Sequence, residues 1–296
     1  MKKTTLLKKL ILDKEILIMP AAYDAVSSII IEKVGFKVTT VSGHAASATI
    51  LGKPDLSLIT LTEMVNHTRN ICEAVDIPVL VDGDTGHGNV LNVIRTVKEF
   101  EKAGAAGLFI EDQTFPKRCG HLEGKQVIST EEMVAKIKAA VDAREDSDFV
   151  IQARTDALAT HGIDEAIDRA NIYREAGADL LFIEAPTTIE EIIRINKEVD
   201  APTVGIQGEG GKTPMTTVKE LEKIGFNVVV YPGSALYAAA WAVKAVMEEL
   251  ITTGTTKGYM DRMYNFPGFN KLMGVERFLE KESLYLGDFL KERSER

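Results

Sequence analysis

Two hydrophobic rhythms alternate along the chain. Short runs that are apolar on both faces fall at Ile16–Met19, Val38–Val41, Val79–Val81, Gly107–Ile110, Phe149–Ala153, Leu180–Ile183, Thr203–Ile206 and Val228–Tyr231. Between them apolar residues recur at intervals of three and four, as in Met133–Ala143 and Ile163–Ala176, the period of an amphipathic helix. Strands with two apolar faces need cover on both, so their alternation with helices predicts a parallel sheet clad in helices. Eight such units predict an α/β fold closed into a (β/α)8 TIM barrel. The barrel is expected to form a single domain over residues 1–296, with 234–296 as a helical extension of it.

Punctuation supports the same unit. Four segments end alike: EKVGFKV at Glu32–Val38, EKAGAAG at Glu101–Gly107, REAGADL at Arg174–Leu180 and EKIGFNV at Glu222–Val228. Each glycine can take the left-handed conformation that closes a helix, and a strand-length apolar run follows. Asp76-Ile77-Pro78 and Asp200-Ala201-Pro202 place proline where the chain leaves a helix for a strand. An open doubly wound sheet is the competing arrangement, but its nucleotide-binding signatures are missing. GDTGHG at Gly83–Gly88 has the wrong order for GxGxxG, and GEGGKT at Gly208–Thr213 lacks the first glycine of a P-loop, where Ile206 stands. Past the last strand, Ser234–Thr252 reads as a long apolar helix and Tyr259–Leu290 as an aromatic-rich tail that needs a partner to cover it.

Composition narrows the function. With 35 Lys+Arg against 44 Asp+Glu, the net charge of −9 excludes a nonspecific nucleic-acid binder. Two cysteines, Cys72 and Cys119, make neither a disulfide framework nor a zinc spacing, which favours a reducing, cytoplasmic setting. The lysine-led start MKKTTLLKKLILDKEILIMP is too broken by charge for an export signal. The uncharged window Ile224–Val243 is long enough to cross a bilayer, but Asn227 and Pro232-Gly233 make it a strand, a turn and a buried helix.

In such a barrel the side chains at the carboxyl ends of the strands face the active site. Here they are polar and mostly acidic: Ser42-Gly43-His44, Asp82-Gly83-Asp84, Glu111-Asp112-Gln113, Arg154-Thr155-Asp156, Glu184, then Gln207 and Glu209. Converging carboxylates repel one another unless a cation sits among them, and an all-oxygen donor set suits Mg2+, with Mn2+ as a substitute. The expected ligands are Asp82, Asp84 and Glu111. A single acid of this kind more often pairs with a lysine or caps a helix; it is the three together that point to metal. A second cluster, Lys117-Arg118-Cys119-Gly120-His121, surrounds a thiol with positive charge, which predicts a lowered thiol pKa. Cys72, inside an amphipathic helix, reads as core.

The runs DGDTGHGN, IEDQTFPKRCGH and ARTDA together resemble the isocitrate lyase and phosphoenolpyruvate mutase superfamily, and within it the 2-methylisocitrate and 2,3-dimethylmalate lyases. The likeness extends from AAYDA at Ala21–Ala25 to YPGSAL at Tyr231–Leu236, and KRCGH, carried on a gating loop in the carbon–carbon lyases, is its most discriminating motif. The resemblance implies a Mg2+-dependent lyase that cleaves a 2-hydroxy di- or tricarboxylate to pyruvate plus propionate or succinate. It also implies a homodimer or homotetramer with a swapped terminal helix. Asp82 would bind the metal directly, and Asp84 and Glu111 through water. Cys119 would donate a proton to the departing carbanion, tuned by Lys117 and His121, with Tyr23 or Glu184 as base. Ser42, Gly43, Asp55, Gly120, Arg154, Gln207 and Thr213 would contact substrate, and Asp24 would flank the site.

The chain departs from the methylisocitrate lyase pattern after strand seven, where Gly208 and Gly210 replace hydroxyl and aromatic side chains, and at Tyr237, where some of those lyases have arginine. Fewer contacts for a third carboxylate favour a smaller methylated malate. The competing activities are a carboxyphosphonoenolpyruvate or phosphoenolpyruvate phosphonomutase and an oxaloacetate decarboxylase. His44 and His87 are expected to be ordinary loop histidines.

Overall fold

The computed structural model describes residues 1–294. By internal contacts it divides into two compact units, one spanning Met1–Tyr237 and one beginning at Ala238. The first is the barrel. Its strands are β1 (Leu17–Ala22), β2 (Thr39–Val41), β3 (Val79–Asp82), β4 (Gly107–Glu111), β5 (Val150–Thr155), β6 (Leu180–Ile183), β7 (Val204–Ile206) and β8 (Val228–Tyr231). All pair in parallel in the order β6-β5-β4-β3-β2-β1-β8-β7. A parallel bridge between Leu181 and Thr203 joins the two ends of that order, so the nearly closed (β/α)8 barrel replaces the open-sheet alternative.

The four repeated glycines behave as their sequence context demands. Gly35, Gly104, Gly177 and Gly225 have φ of 109°, 92°, 109° and 110°, each turning the chain out of a helix and into the next strand. At the other helix ends, Asp24, Thr60, Thr188 and Thr217 accept backbone hydrogens in capping boxes. Asp24 is thereby committed to its helix.

Two apolar cores follow from the two faces of the strands. One lies between barrel and helices, around Ile71, Phe100, Ile137 and Tyr173. The other fills the barrel, where Leu17, Val38, Val150, Leu180 and Val228 meet Leu7 and Ile11. These last two sit on a helix, Lys3–Ile11, that plugs the end of the barrel where the strands begin. The lysine-led N-terminal segment is thus a stopper, and Leu7, Leu10 and Ile11 already carry the helical spacing for it.

Tyr237 and the residues before it belong to the barrel; the helix Ser234–Thr253 begins there and runs into the second unit. That unit continues through Lys257–Arg262, Phe266–Leu272 and Val275–Ser294 and exposes Trp241, Ile251, Phe266, Phe278 and Tyr285. Among the described residues no helix is long and apolar enough to cross a membrane; the window Ile224–Val243 is strand, turn and helix as its breakers require.

Candidate active site

At the end of the barrel where the strands finish, side chains enclose a cavity of about 220 Å3. Met19, Leu80, Phe109, Val204, Ile206 and Val230 make an apolar floor. Above it stand Ser42, Asp55, Asp82, Cys119, Gly120, His121, Arg154 and Glu184, eight of the residues the sequence singles out.

The acidic side is tightly built. Asp82, at the end of β3, accepts from the amides of Gly43 (2.9 Å) and Asp84 (2.9 Å). A Cβ at position 43 would stand 2.7 Å from Asp82 Oδ2 and 3.3 Å from Asp84 Oδ1, so only glycine lets the backbone cradle both acids. Glu111, at the end of β4, is fully buried, and neither of its carboxylate oxygens has a hydrogen-bond partner. Burial pushes Asp82 up to about 6 and Glu111 well above the usual carboxylate range. Buried carboxylate oxygens without hydrogen-bond partners, beside further carboxylates, are what a divalent cation satisfies, so Asp82, Asp84 and Glu111 fit Mg2+, with Lys117 and Arg154 also reaching Asp84 and Glu111. Among the described residues no three His, Cys, Asp or Glu side chains form a ready-made ligand cage; Mg2+, which keeps several waters, does not require one.

Lys117 corrects the sequence reading. Its buried ammonium lies 2.7 and 2.8 Å from the Asp55 oxygens and 2.8 Å from Asp84 Oδ1. Burial opposes its charge, yet Asp84, Glu111, Asp82 and Asp55 outweigh that and hold it firmly protonated. It balances the acids instead of tuning the thiol. Arg118 also turns away, donating to the Glu123 carbonyl. Cys119 is consequently not a low-pKa thiol: burial pushes it up, and of the nearby cations only Arg154 opposes this. A thiol that keeps its proton suits an acid better than a nucleophile.

Opposite the carboxylates, Arg154 of β5 is gripped through Nε (2.9 Å) and Nη2 (3.1 Å) by Asp156, and its Nη1 reaches Glu184 (3.0 Å) and Glu111 (3.3 Å). The other oxygen of Glu184, Oε1, is buried without a hydrogen-bond partner, 3.6 Å from His121 Nε2. The amide of Lys212 donates to His121 Nδ1 (3.1 Å), which assigns the proton of the neutral imidazole to Nε2; burial lowers the His121 pKa.

Three expected residues stand elsewhere. Tyr23 does not line the cavity; its amide donates to Ser27 and its carbonyl accepts from Thr49. The Gln207 amide is consumed by Ile206 and Thr216, fixing its own loop. Thr213 is buried beside a smaller cavity behind β7, with Ile183, Leu221 and Phe226. Conversely, His44 is no idle loop residue: its Nε2 lies 3.2 Å from the Tyr237 hydroxyl, and both line the cavity. Gln152, a polar interruption within β5, faces the floor with its Oε1 unpartnered. Lys125 and Asp156, which the sequence reading passed over as ligands, lie buried behind Arg154.

A barrel whose strand ends gather buried carboxylates and one guanidinium, beneath a loop bearing a thiol that keeps its proton, is an enzyme of small-carboxylate chemistry. Residues 7–251 match the phosphoenolpyruvate phosphomutase family, and the chain belongs to the phosphoenolpyruvate mutase/isocitrate lyase superfamily. It is 46% identical over 279 residues to the 2,3-dimethylmalate lyase of Eubacterium barkeri, covering 94% of this chain and 96% of that one. It is 46% identical over 281 residues to the chloroplastic carboxyvinyl-carboxyphosphonate phosphorylmutase of Arabidopsis thaliana, covering 94% and 83%. Among solved structures, a 2,3-dimethylmalate lyase superposes with a TM-score of 0.91 at 31% identity, covering 96% of both chains. A phosphonopyruvate hydrolase complexed with oxalate and Mg2+ gives 0.89 at 31% identity, covering 97% of this chain and 100% of that one.

Proposed function

We propose that this chain is a Mg2+-dependent carbon–carbon lyase that splits a 2-hydroxy dicarboxylate of the 2,3-dimethylmalate type into pyruvate and propionate. The observation that carries the reading is the meeting, in one small cavity, of Asp82, Arg154, Glu184 and the protonated thiol of Cys119. Asp82, Asp84 and Glu111 would hold Mg2+, which would supply Lewis-acid stabilisation of the negative charge that develops on the pyruvate fragment. Arg154 clamps a substrate carboxylate from the opposite side, and Ser42 and Gly43 border the pyruvate end. Glu184 Oε1 takes the C2 hydroxyl proton, the C2–C3 electron pair leaves with C3 as a carboxylate-stabilised carbanion, and Cys119 protonates C3. The proton on Glu184 then restores the thiol, so none is gained or lost overall. The loop keeps water from the carbanion while it exists.

A tricarboxylate such as 2-methylisocitrate, giving succinate, fits the cavity's charge less well. Among the described residues Arg154 is the one Lys or Arg in its lining, and the far rim carries Glu209, Gly208, Gly210, Gly211 and the His44–Tyr237 pair. The thiol also favours a lyase over a phosphonomutase, whose rearrangement adds no proton at C3; oxaloacetate decarboxylation does end in protonation of C3, and product analysis separates it. Incubation with Mg2+ and, separately, 2,3-dimethylmalate, 2-methylisocitrate, phosphonopyruvate and oxaloacetate tests this. Pyruvate with propionate is expected from the first at the highest kcat/KM; phosphoenolpyruvate from phosphonopyruvate, with no cleavage of either hydroxy acid, would refute it. The free thiols of Cys72 and Cys119 suit the cytoplasm, and a second copy of this chain, in a homodimer or homotetramer, is the expected cover for the apolar residues around Trp241.

A further inference from the structure

The loop that carries Cys119 is a closed excursion. Its neck is the antiparallel bridge between Gln113 and Val127, reinforced by the Thr114 amide donating to the Gln126 carbonyl (2.8 Å). Beyond the neck the loop returns to the barrel at two buried points. One is Lys117 on Asp55 and Asp84. The other is Lys125, whose ammonium donates to the Gly120 carbonyl (2.6 Å) and to Asp156 Oδ1 (2.7 Å). Its side chain is 2% exposed and that of Asp156 is 0%.

Asp156 is itself fixed. Its amide donates to Asp112 Oδ1 (2.9 Å), and the same Oδ1 that receives Lys125 receives Arg154 Nη2. One carboxylate oxygen therefore joins the lid to the guanidinium. Gly120, next to the thiol, sits so close that an added Cβ would lie 2.4 Å from Glu184 Cδ and 2.5 Å from Arg154 Nη2. A buried ammonium without acceptors is strongly unfavourable. Lifting the loop off the barrel would part Lys125 from Asp156 and strip that ammonium of its one carboxylate.

We propose that Lys125 is a positioning residue, the latch that holds the Cys119 loop shut through the Gly120 carbonyl and Asp156 without touching substrate. Latching sets the thiol over Arg154 and Glu184 and ties closure to the orientation of Arg154. The turnover arm of its test rests on the lyase reading; the labelling arm does not.

Cys119 and Cys72 are the only two cysteines, and Cys72 is buried with its thiol pushed up to about 12. Iodoacetamide labelling of the full-length protein, read by mass spectrometry, therefore reports on Cys119, with Cys72 marking global unfolding. Lys125→Met is expected to label at Cys119 at least about tenfold faster than the parent, with Cys72 unchanged. Gly120→Ala, which pushes the loop from the same anchor and leaves Lys125 intact, is expected to do likewise. With 2,3-dimethylmalate, Lys125→Met should lower kcat about tenfold or more while KM moves less than about threefold. An unaltered Cys119 rate in the variants that fold overturns the proposal. So does Cys72 labelling that rises in step with Cys119, because Lys125 would then be holding the whole fold.

Discussion

Lys117→Met tests whether the acid cluster is built around a cation. The lysine lies within 2.8 Å of three carboxylate oxygens from Asp55 and Asp84, and it also faces Asp82 and Glu111. Methionine keeps the bulk and removes the charge, leaving buried carboxylates uncompensated. Losing one partner of a buried ion pair costs about 3–5 kcal/mol. For a domain of this size that corresponds to a fall in Tm of about 6–20 °C. Thermal unfolding followed by circular dichroism in EDTA gives the metal-free value. Mg2+ at a hundred times its Kd then returns about 2.7 kcal/mol, provided the folded state alone binds it. Adding Asp55→Asn to Lys117→Met should recover about 1 kcal/mol or more, because it removes one stranded charge. A single variant that loses less than about 1 kcal/mol in EDTA would refute the reasoning, as would a double variant no more stable than the single one.

Four further outcomes follow from the same geometry. Gly43→Ala drives a methyl group to 2.7 Å from Asp82 Oδ2 and should weaken Mg2+ binding at least about tenfold, measured by titration calorimetry; unchanged affinity would place the ligands elsewhere. Cys119→Ser should lower kcat by about a hundredfold or more while leaving Mg2+ affinity intact. In the parent, labelling of the thiol should climb with pH through a midpoint above the ordinary 9.0, because burial raises its pKa, and a midpoint near 7 would reinstate an activated thiolate. His87, at φ 57° with Nε2 buried and unpartnered, is held down to about 4, chiefly by burial. Its folded pKa lies below its unfolded value, so its contribution to stability is complete above about 6.5 and is lost as pH falls toward 4. His87→Asn, which tolerates the left-handed backbone, should flatten that part of the stability profile by at most about 3 kcal/mol in urea titrations; an unchanged slope would mean that the imidazole is solvated.

What the sequence discloses about this fold is its periodic part. The apolar runs locate every strand to within a few residues, because a strand covered on both faces can be written in few ways. The repeated glycines locate helix ends because φ near 110° at Gly35, Gly177 and Gly225 excludes almost everything else. β1 runs on through Pro20 to Ala22, past the point where proline's missing amide suggests an end, since the Pro20 carbonyl still accepts from Thr39 Oγ1 (2.9 Å). The N-terminal stopper escapes for a different reason. Its apolar face is only three residues wide, and its lysines outweigh it in any average over the segment.

The active-site residues divide along another line. Those fixed to strand ends, Asp82, Glu111, Arg154 and Glu184, are legible because the barrel fixes the direction of each side chain. Loop residues carry no such constraint, so charge adjacent in sequence is a poor guide to charge adjacent in space. Lys117 and Arg118 flank the thiol along the chain, yet one is drawn 62 residues back to Asp55 and the other faces the Glu123 carbonyl. The cation that does act on Cys119 is Arg154, from β5. Lys125 shows the converse, since nothing in its neighbours distinguishes it from a surface lysine until Asp156 and the Gly120 carbonyl bury it. A lid assembled this way derives its chemistry from where it closes. The reactivity of its thiol should therefore respond more strongly to changes at the anchoring points, Gly120, Lys125 and Asp156, than to substitution of its charged sequence neighbour Arg118.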